Sequence, residues 1–382
     1  MALMKQSPII FIFNSALSSG CDYVVQTIRI VSQGHPVFGL ALGDIVSLPR
    51  LLTEKDKWIV RAVNGAIIFR PISILPFVRF RAVRMFTYIG SAIFLRVYVG
   101  IRYLGKNKTL WFFEPFHMPM LLSVFLGYTS LYDCVDYYPG FNKTASREHY
   151  SVMKRASYVF ANSQPLATVL RKVRRDVYRV PLGFATELFI NRVQVRHAHD
   201  FNNTHPVVGF VGGISDRLDF PLLTSIIRSL PQVRFVFVGP REKNVFETND
   251  SLETSLQGLR RLKNFEWMQA VPKNRIPNTI SKFDICIIPY KVENLFNKYS
   301  FPMKSLEYFA MGKPVVSTEI ESLRPYCENK LLFFMRNSTD FQRAYTTIKK
   351  YGWHRDRQKK QKSIAMNQSW GAKVFAILTL VG

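Results

Sequence analysis

Apolar positions in the first half of the chain gather into short unbroken runs separated by amphipathic stretches. Residues 8–13 (PIIFIF), 36–42 (PVFGLAL), 109–114 (TLWFFE), 129–136 (TSLYDCVD), 155–163 (RASYVFANS) and 176–183 (DVYRVPLG) each read as a strand. Residues 21–33, 116–127 and 146–154 read as the helices between them. Strands that are apolar throughout, rather than at every second position, are buried on both faces. That is the mark of a parallel sheet covered by helices on each side. The pattern stops at 190–206 (INRVQVRHAHDFNNTHP), which is polar, lacks periodicity and reads as a linker.

It restarts at 207. Strands are predicted at 207–213, 233–240, 264–271, 284–290, 313–318 and 330–335, and helices at 219–229, 273–282, 301–311, 338–350 and 370–381. The expected division is 1–189, a linker at 190–206, a second domain at 207–365 and a C-terminal helix at 366–382. The class is α/β, with two doubly wound domains. Such domains place a ligand cleft at the carboxyl ends of their strands. No short internal repeat is visible.

Composition narrows the class further. The chain has 382 residues, of which 48% are hydrophobic and 20% charged, so it is not intrinsically disordered. Lys+Arg number 52 against 26 Asp+Glu, a net charge of +26. The excess divides evenly: residues 1–190 carry 23 basic and 10 acidic side chains, the remainder 29 and 16. Each half is therefore at +13, and the charge belongs to the whole molecule. Such a field attracts nucleic acid, anionic membrane or phosphorylated substrates. Cys21, Cys134, Cys286 and Cys327 are widely spaced and form no CxxC. That fits a reduced, cytosolic chain. The apolar run at 8–13 is interrupted by Asn14 and falls short of a signal sequence, so it is read as a buried first strand.

One stretch departs from a plain soluble pattern. Residues 70–108 carry eight basic side chains and no acidic one. Arg79, Arg81, Arg84 and Arg96 interleave with Phe77, Phe80, Phe86 and Phe94. Arg96 and Arg102 break the longest apolar part, 85–105, too often for a spanning helix. The segment is expected to lie on an anionic bilayer with rings down and guanidiniums on phosphates, Arg79, Arg81, Arg84, Phe77 and Phe80 making the contact. The competing reading is a pair of amphipathic helices packed on a sheet.

Candidate chemistry falls at two places in the second half. Gly212 and Gly213 follow a buried strand, where small residues allow backbone N–H groups to approach a phosphate. The run NKYSFPMKSLEYFAMGKPVVST (297–318) predicts a helix capped by Ser300, begun near Pro302 and ended at Gly312. Lys304 and Glu307 are three apart and share a helix face. Lys304 suits a diphosphate, and Glu307 can accept from the two hydroxyls of a ribose. Neither GxGxxG nor GxxxxGK[ST] is present.

These residues resemble the donor domain of GT-B glycosyltransferases, especially bacterial family 4 enzymes of cell-surface polysaccharide synthesis. The matching run is PxKxLEYxAxGKPVVST, Pro302 to Thr318, preceded by FDICIIPY and, earlier, VGFVGGISDRLD. LYDCVDYY (131–138), REHYSVMKRASYVFANS (147–163), VYRVPLGFATELF (177–189) and the closing Ser369–Trp370 follow the same subgroup. The resemblance implies two Rossmann-like domains facing a cleft, with the C-terminal helix returning to the first. It implies transfer of a sugar from a nucleotide-sugar, most often UDP-linked, with no required metal and no cofactor. Glu307 would hold the ribose, while Lys304 and the Gly212–Gly213 turn would neutralise the diphosphate. Arg217 and Lys298 are spare cations nearby, Trp267 and Gln269 lie where the base would sit, and Ser300 belongs to the same donor site. Where many family 4 enzymes carry a second Glu, eight residues before the first, this chain has Tyr299.

For the acceptor half, Asp136 ends a predicted strand and is the first candidate base. Glu114–Pro115 resembles a Glu–Pro pair of related enzymes. The usual preceding His is Phe113 here, and His117 follows nearby. The expected function is transfer to a lipid-linked glycan or exopolysaccharide precursor, peripherally on the inner face of the plasma membrane. A nucleotide-sugar epimerase of the same fold leaves segment 70–108 unexplained. A nucleic-acid-binding protein fits the charge but lacks any recognisable motif, so nucleic acid is not an expected partner.

Overall fold

The computed structural model describes residues 7–14, 22–52, 58–61, 65–75, 77–190, 206–242 and 250–382. Cys21 and most of the 190–206 segment lie outside the described residues. The chain forms two compact units, Met1–Gly183 with Trp370–Gly382, and Phe184–Ser369.

The first unit is built on an eight-stranded sheet. In chain order its strands are β1 (Ile9–Phe13), β2 (Val37–Ala41), β3 (Ile59–Arg61), β4 (Ile67–Phe69), β5 (Thr109–Phe112), β6 (Thr129–Cys134), β7 (Tyr158–Ala161) and β8 (Val177–Arg179). Their spatial order is β8-β7-β6-β5-β1-β2-β4-β3. All pairs are parallel except β4 with β3. Every residue of β1 and β2 is buried, as their unbroken apolar runs require. Phe11, Trp111 and Phe113 stack through the middle of this core.

The second unit has a six-stranded parallel sheet. Its strands are β9 (Val207–Val211), β10 (Arg234–Val238), β11 (Phe265–Met268), β12 (Ile285–Ile288), β13 (Val315–Thr318) and β14 (Phe333–Met335), in the order β11-β10-β9-β12-β13-β14. The strand order reverses at β9, between β10 and β12, which is where doubly wound sheets hold ligands. Helix Phe220–Ser229 returns from β9, begun by Asp219, whose carboxylate accepts from the Leu222 N–H at 2.9 Å.

Several helices were not anticipated from sequence, the longest being Asp250–Arg260 and Arg355–Met366. Segment 70–108 also differs from the helix pair considered above. It holds one 22-residue helix, Arg81–Arg102. Among the described residues this is the helix long and apolar enough to cross a membrane. Its buried residues, Thr87, Tyr88, Ala92, Leu95 and Val99, form a stripe at helical spacing that packs into the unit. The opposite face has no cover: Phe86 is 70% exposed, Ile101 75% and, just beyond, Leu104 86%.

The C-terminal helix Trp370–Val381 returns to the first unit, as expected. An ion pair fixes it there. Lys373 Nζ lies 2.9 and 2.7 Å from the two carboxylate oxygens of Asp133, and both side chains are 1% exposed. Removing one partner of such a pair leaves an unpaired buried charge, which costs about 3–5 kcal/mol.

Candidate active site

In the second unit the chemistry gathers at the carboxyl ends of β9, β10 and β12. Gly212 and Gly239 follow β9 and β10 with φ of +152° and +159°. A Cβ on Gly239 would stand 1.9 Å from the Gly212 carbonyl oxygen, and one on Gly212 would stand 2.6 Å from Lys304 Nζ. Glycine is what lets two turns and an ammonium group meet here. Lys304 Nζ donates to Tyr290 Oη and lies 4.4 and 4.5 Å from the ring centroids of Phe210 and Tyr290. Arg217 is held between Tyr290 and Phe296, at 4.6 and 4.2 Å, and its Nε donates to Asn297 Oδ1 at 2.8 Å. Buried Asn297 in turn donates to the Arg217 and Lys291 carbonyls.

The electrostatics follow from this packing. Burial alone would push the Tyr290 phenol up, but Lys304 and Arg217 together with the Lys304 hydrogen bond outweigh it, and its pKa falls below the usual value. Glu242 stands beside Gly213, where a Cβ would lie 2.6 Å from its Oε1. Burial raises its pKa, against the opposing pull of Arg217 and Lys304. Two fixed cations and a phenol suit an anion rich in phosphoryl oxygens, with the exposed Glu242 carboxyl at their edge.

Glu307 is half-buried, one turn along from Lys304 in the helix Lys304–Ala310. Ser300 does not cap that helix. Residues Leu295–Tyr299 form a helical turn of their own, begun by Asn294, whose Oδ1 accepts from Phe296 and Asn297, and Ser300 ends it. Pro302 follows, the chain restarts its helix at Lys304, and Met303 at the cap position provides no side-chain bond. Ser300 is buried there, with its carbonyl accepting from Ser322 Oγ. Trp267 is half-buried and tied to the turn, its Nε1 donating to the Gly239 carbonyl at 3.0 Å, while Gln269 is exposed just past β11. Lys298 is exposed beside the Tyr299 ring. Tyr290, Glu242 and Asn297 were not named from sequence, although Tyr290 closes the FDICIIPY run.

The first unit has its own open cavity of about 690 Å³, lined by Asn14, Arg81, His117, Asn142, Lys143 and Glu148 among others. His117 has φ +64°, a left-handed conformation, and starts the helix Met118–Val124. Its Nδ1 is buried without a partner among the described residues. Burial lowers its pKa, and Arg84 and Arg81 lower it further, so the ring is neutral at pH 7. Its backbone N–H donates to Glu148, whose carboxyl burial raises, against that bond and Arg81. Asn142 caps the helix Lys143–Arg155, its Oδ1 accepting from Ala145 at 2.8 Å.

Glu114 supports this cavity from behind. Its Oε1 accepts from Tyr23 at 3.1 Å and its Oε2 from the Asn14 N–H at 3.2 Å. Asp136 is half-buried past β6, outside the residues that line the cavity, and its carbonyl accepts from Cys134 Sγ and the Tyr138 N–H. The structure thus joins His117 to Arg81, expected at a membrane, and to Glu148, a residue not singled out from sequence. Arg79, Arg84, Phe77 and Phe80 cluster exposed at the start of the Arg81–Arg102 helix, with Arg79 5.2 Å from the Phe80 ring centroid. Among the described residues no three His, Cys, Asp or Glu side chains are placed to hold a metal ion.

Comparison with known proteins defines the class. Sucrose-phosphate synthase from Thermosynechococcus elongatus aligns over 98% of both chains with a TM-score of 0.76 at 14% identity. HepE of Anabaena, solved with UDP, aligns over 98% of this chain and 99% of its own, with a TM-score of 0.70 at 15% identity. At such identities the likeness establishes the fold, and that fold is GT-B. Residues 205–348 match the family model described as "Glycosyl transferases group 1". TuaH of Bacillus subtilis, named as a teichuronic acid biosynthesis glycosyltransferase, is 26% identical over 297 residues, 73% of this chain and 72% of its own. The chain thus has the GT-B fold, and its second unit is similar to the glycosyl transferases of group 1.

Proposed function

We propose that the protein transfers a sugar from a UDP-sugar to a lipid-linked glycan or other cell-envelope polysaccharide precursor, as a peripheral enzyme on the cytosolic membrane face. The observation that carries the donor half is Lys304, held at the Gly212–Gly239 turns beside Arg217 and one helical turn from Glu307. In this reading the bond from the sugar C1 to the β-phosphate oxygen breaks, and Lys304 and Arg217 take up the charge that develops on the diphosphate. Fixed charges of this kind supply the largest catalytic contribution in group transfer. Glu307 accepts from the ribose hydroxyls. The new bond joins C1 to an acceptor hydroxyl, whose proton passes to a base. Neutral His117, whose Nδ1 has no partner among the described residues, is assigned that role in preference to Asp136. No metal has a part in this scheme.

HepE and a trehalose-6-phosphate enzyme from E. coli share the fold, and their structures hold UDP and UDP-2-fluoro glucose respectively, which supports the choice of nucleotide. The acceptor class and the membrane site rest on the exposed apolar face and the unbalanced cations of 70–108. The test is turnover of a panel of labelled UDP-sugars in the presence of bacterial membranes. One sugar is expected to enter the lipid fraction, and Glu307→Ala is expected to abolish this while the protein stays folded. Full activity in Glu307→Ala would sink the donor assignment, and release of free sugar alone would sink the transferase.

A further inference from the structure

A second cavity, of about 470 Å³, opens beside the Arg81–Arg102 helix and has a different character. Trp58, Phe69, Ile72, Leu75, Phe86 and Phe94 form its walls. Two of its three polar side chains are already engaged. Arg70 Nη2 donates to Asp44 at 2.8 Å, and the Thr87 hydroxyl donates to the Val83 carbonyl at 2.9 Å. Its volume is within the roughly 300–1,000 Å³ of ordinary ligand pockets, yet its walls have little to offer a polar ligand.

Its position supplies the rest of the argument. Arg81 lines the polar cavity with His117, and Phe86 lines the apolar one, five residues on along the same helix. At 1.5 Å and 100° per residue the two are about 8 Å apart along its axis and about 140° apart around it, so the cavities adjoin different faces near the start of one helix. A cationic, hydrogen-bonding cavity and a half-open apolar one thus adjoin the same helix near its start, in a segment with eight basic residues and no acidic one. A flat bilayer contact needs no recess of this volume. An amphiphile with an anionic head and one long chain has a part for each cavity.

We propose that the apolar cavity takes the hydrocarbon chain of a single-chain phosphate-headed lipid, whose head group faces Arg81. This deepens the lipid-linked acceptor reading above and rests on it. The occupant is the acceptor's own chain, withdrawn from the bilayer, so the cavity sets a preference for long-chain over short-chain acceptors.

Dodecyl phosphate, kept below its micellar concentration, is the probe, and calorimetric titration of the full chain is the measurement. One dodecyl phosphate per protein is expected to bind at least a hundredfold tighter than inorganic phosphate. Gly90 lines the cavity, and a Cβ there meets nothing within 4 Å. Gly90→Phe therefore enters open space, and it is expected to weaken dodecyl phosphate at least tenfold without lowering the thermal midpoint. Ser91→Phe, from the next position of the same lining, is expected to do the same. Dodecyl phosphate binding no tighter than inorganic phosphate, or binding both variants as it binds the parent, overturns the proposal. So does loss of the protein from phosphatidylglycerol vesicles in Gly90→Phe with dodecyl phosphate affinity intact, since the face would then be a bilayer contact only. UDP affinity in the same preparations tests the donor reading separately. Absence of UDP binding with the chain bound sinks that reading, and the reverse sinks the cavity proposal.

Discussion

The two candidate sites differ in how their charges are held. In the second unit, Lys304 is fixed by the Tyr290 hydroxyl and the Phe210 and Tyr290 rings, and Arg217 by Asn297 and the Tyr290 and Phe296 rings. In the first unit, His117 Nδ1 has no partner among the described residues, and Arg81 and Lys143 are exposed around an open cavity. A diphosphate is the same for every nucleotide-sugar, so a site for it can be rigid. An acceptor varies, and the cavity proposed for it keeps a hydrogen-bonding atom without a partner among the described residues. The difference also decides which site is preorganised for catalysis, because charges that need not move at the moment of reaction contribute most.

The largest expected effect tests that contrast directly. Lys304→Met should lower UDP-sugar turnover by roughly 10²–10³-fold, the range seen when a single fixed group facing developing charge is removed. His117→Ala should leave UDP affinity alone and reduce only acceptor-dependent transfer. Stopped-flow UDP binding and steady-state transfer, measured side by side, separate the two. If Lys304→Met costs less than about tenfold, the fixed-cation account of the second unit fails.

Much of the second site could be read from the chain because its members are close in sequence. Lys304, Glu307 and Gly312 occupy one helix and its end, and the strand predicted before them, 284–290, closes on Tyr290. The order of strands and helices was legible for the same reason, since each is a local pattern. The cavity of the first unit joins residues 14, 81, 117 and 142–148, and only the sheet topology unites them. Glu148 lay inside a run already noted for its resemblance but had nothing local to mark it. Ser300 was misplaced because a cap and a helix end look alike when Pro302 follows both. Helix Arg355–Met366 had no apolar stripe to reveal it: Gln361 and Ala365 are its buried residues. Helix Asp250–Arg260 did have one, in Leu252, Leu256 and Leu259.

The next effect sharpens the comparison through pH. His149 follows Glu148 on the Lys143–Arg155 helix, with Nδ1 2.8 Å from Tyr132 Oη, and burial pushes its pKa down to about 4. The ordinary value is 6.5, so the unfolded chain binds the proton more readily. Stability is therefore complete above pH 6.5 and falls as pH drops toward 4. At about 1.36 kcal/mol per pH unit, roughly 3 kcal/mol is lost over that window. Hydrogen exchange at pH 7 and pH 4.5 should show the Lys143–Arg155 helix loosening, and His149→Gln should flatten the dependence. An unchanged slope in His149→Gln would place the acid sensitivity elsewhere.

The smallest effect concerns the membrane face, and it separates the units once more. A cation near an anionic bilayer contributes about 1 kcal/mol. Arg79→Gln with Arg84→Gln should therefore weaken binding to phosphatidylglycerol vesicles by about 2 kcal/mol, roughly thirty-fold. The contribution acts within a Debye length of about 10 Å at 0.1 M salt, so raising the salt should shrink the gap between variant and parent. The rings of Phe77, Phe80 and Phe86 bind by apolar burial, which salt does not screen, and they should retain part of the affinity. Vesicle flotation of both proteins at two salt concentrations reads these contributions separately. Equal flotation of variant and parent at low salt would remove Arg79 and Arg84 from the contact. If affinity instead vanished entirely, the exposed apolar face would have no share in it, and the Arg81–Arg102 helix would touch the membrane through charge alone.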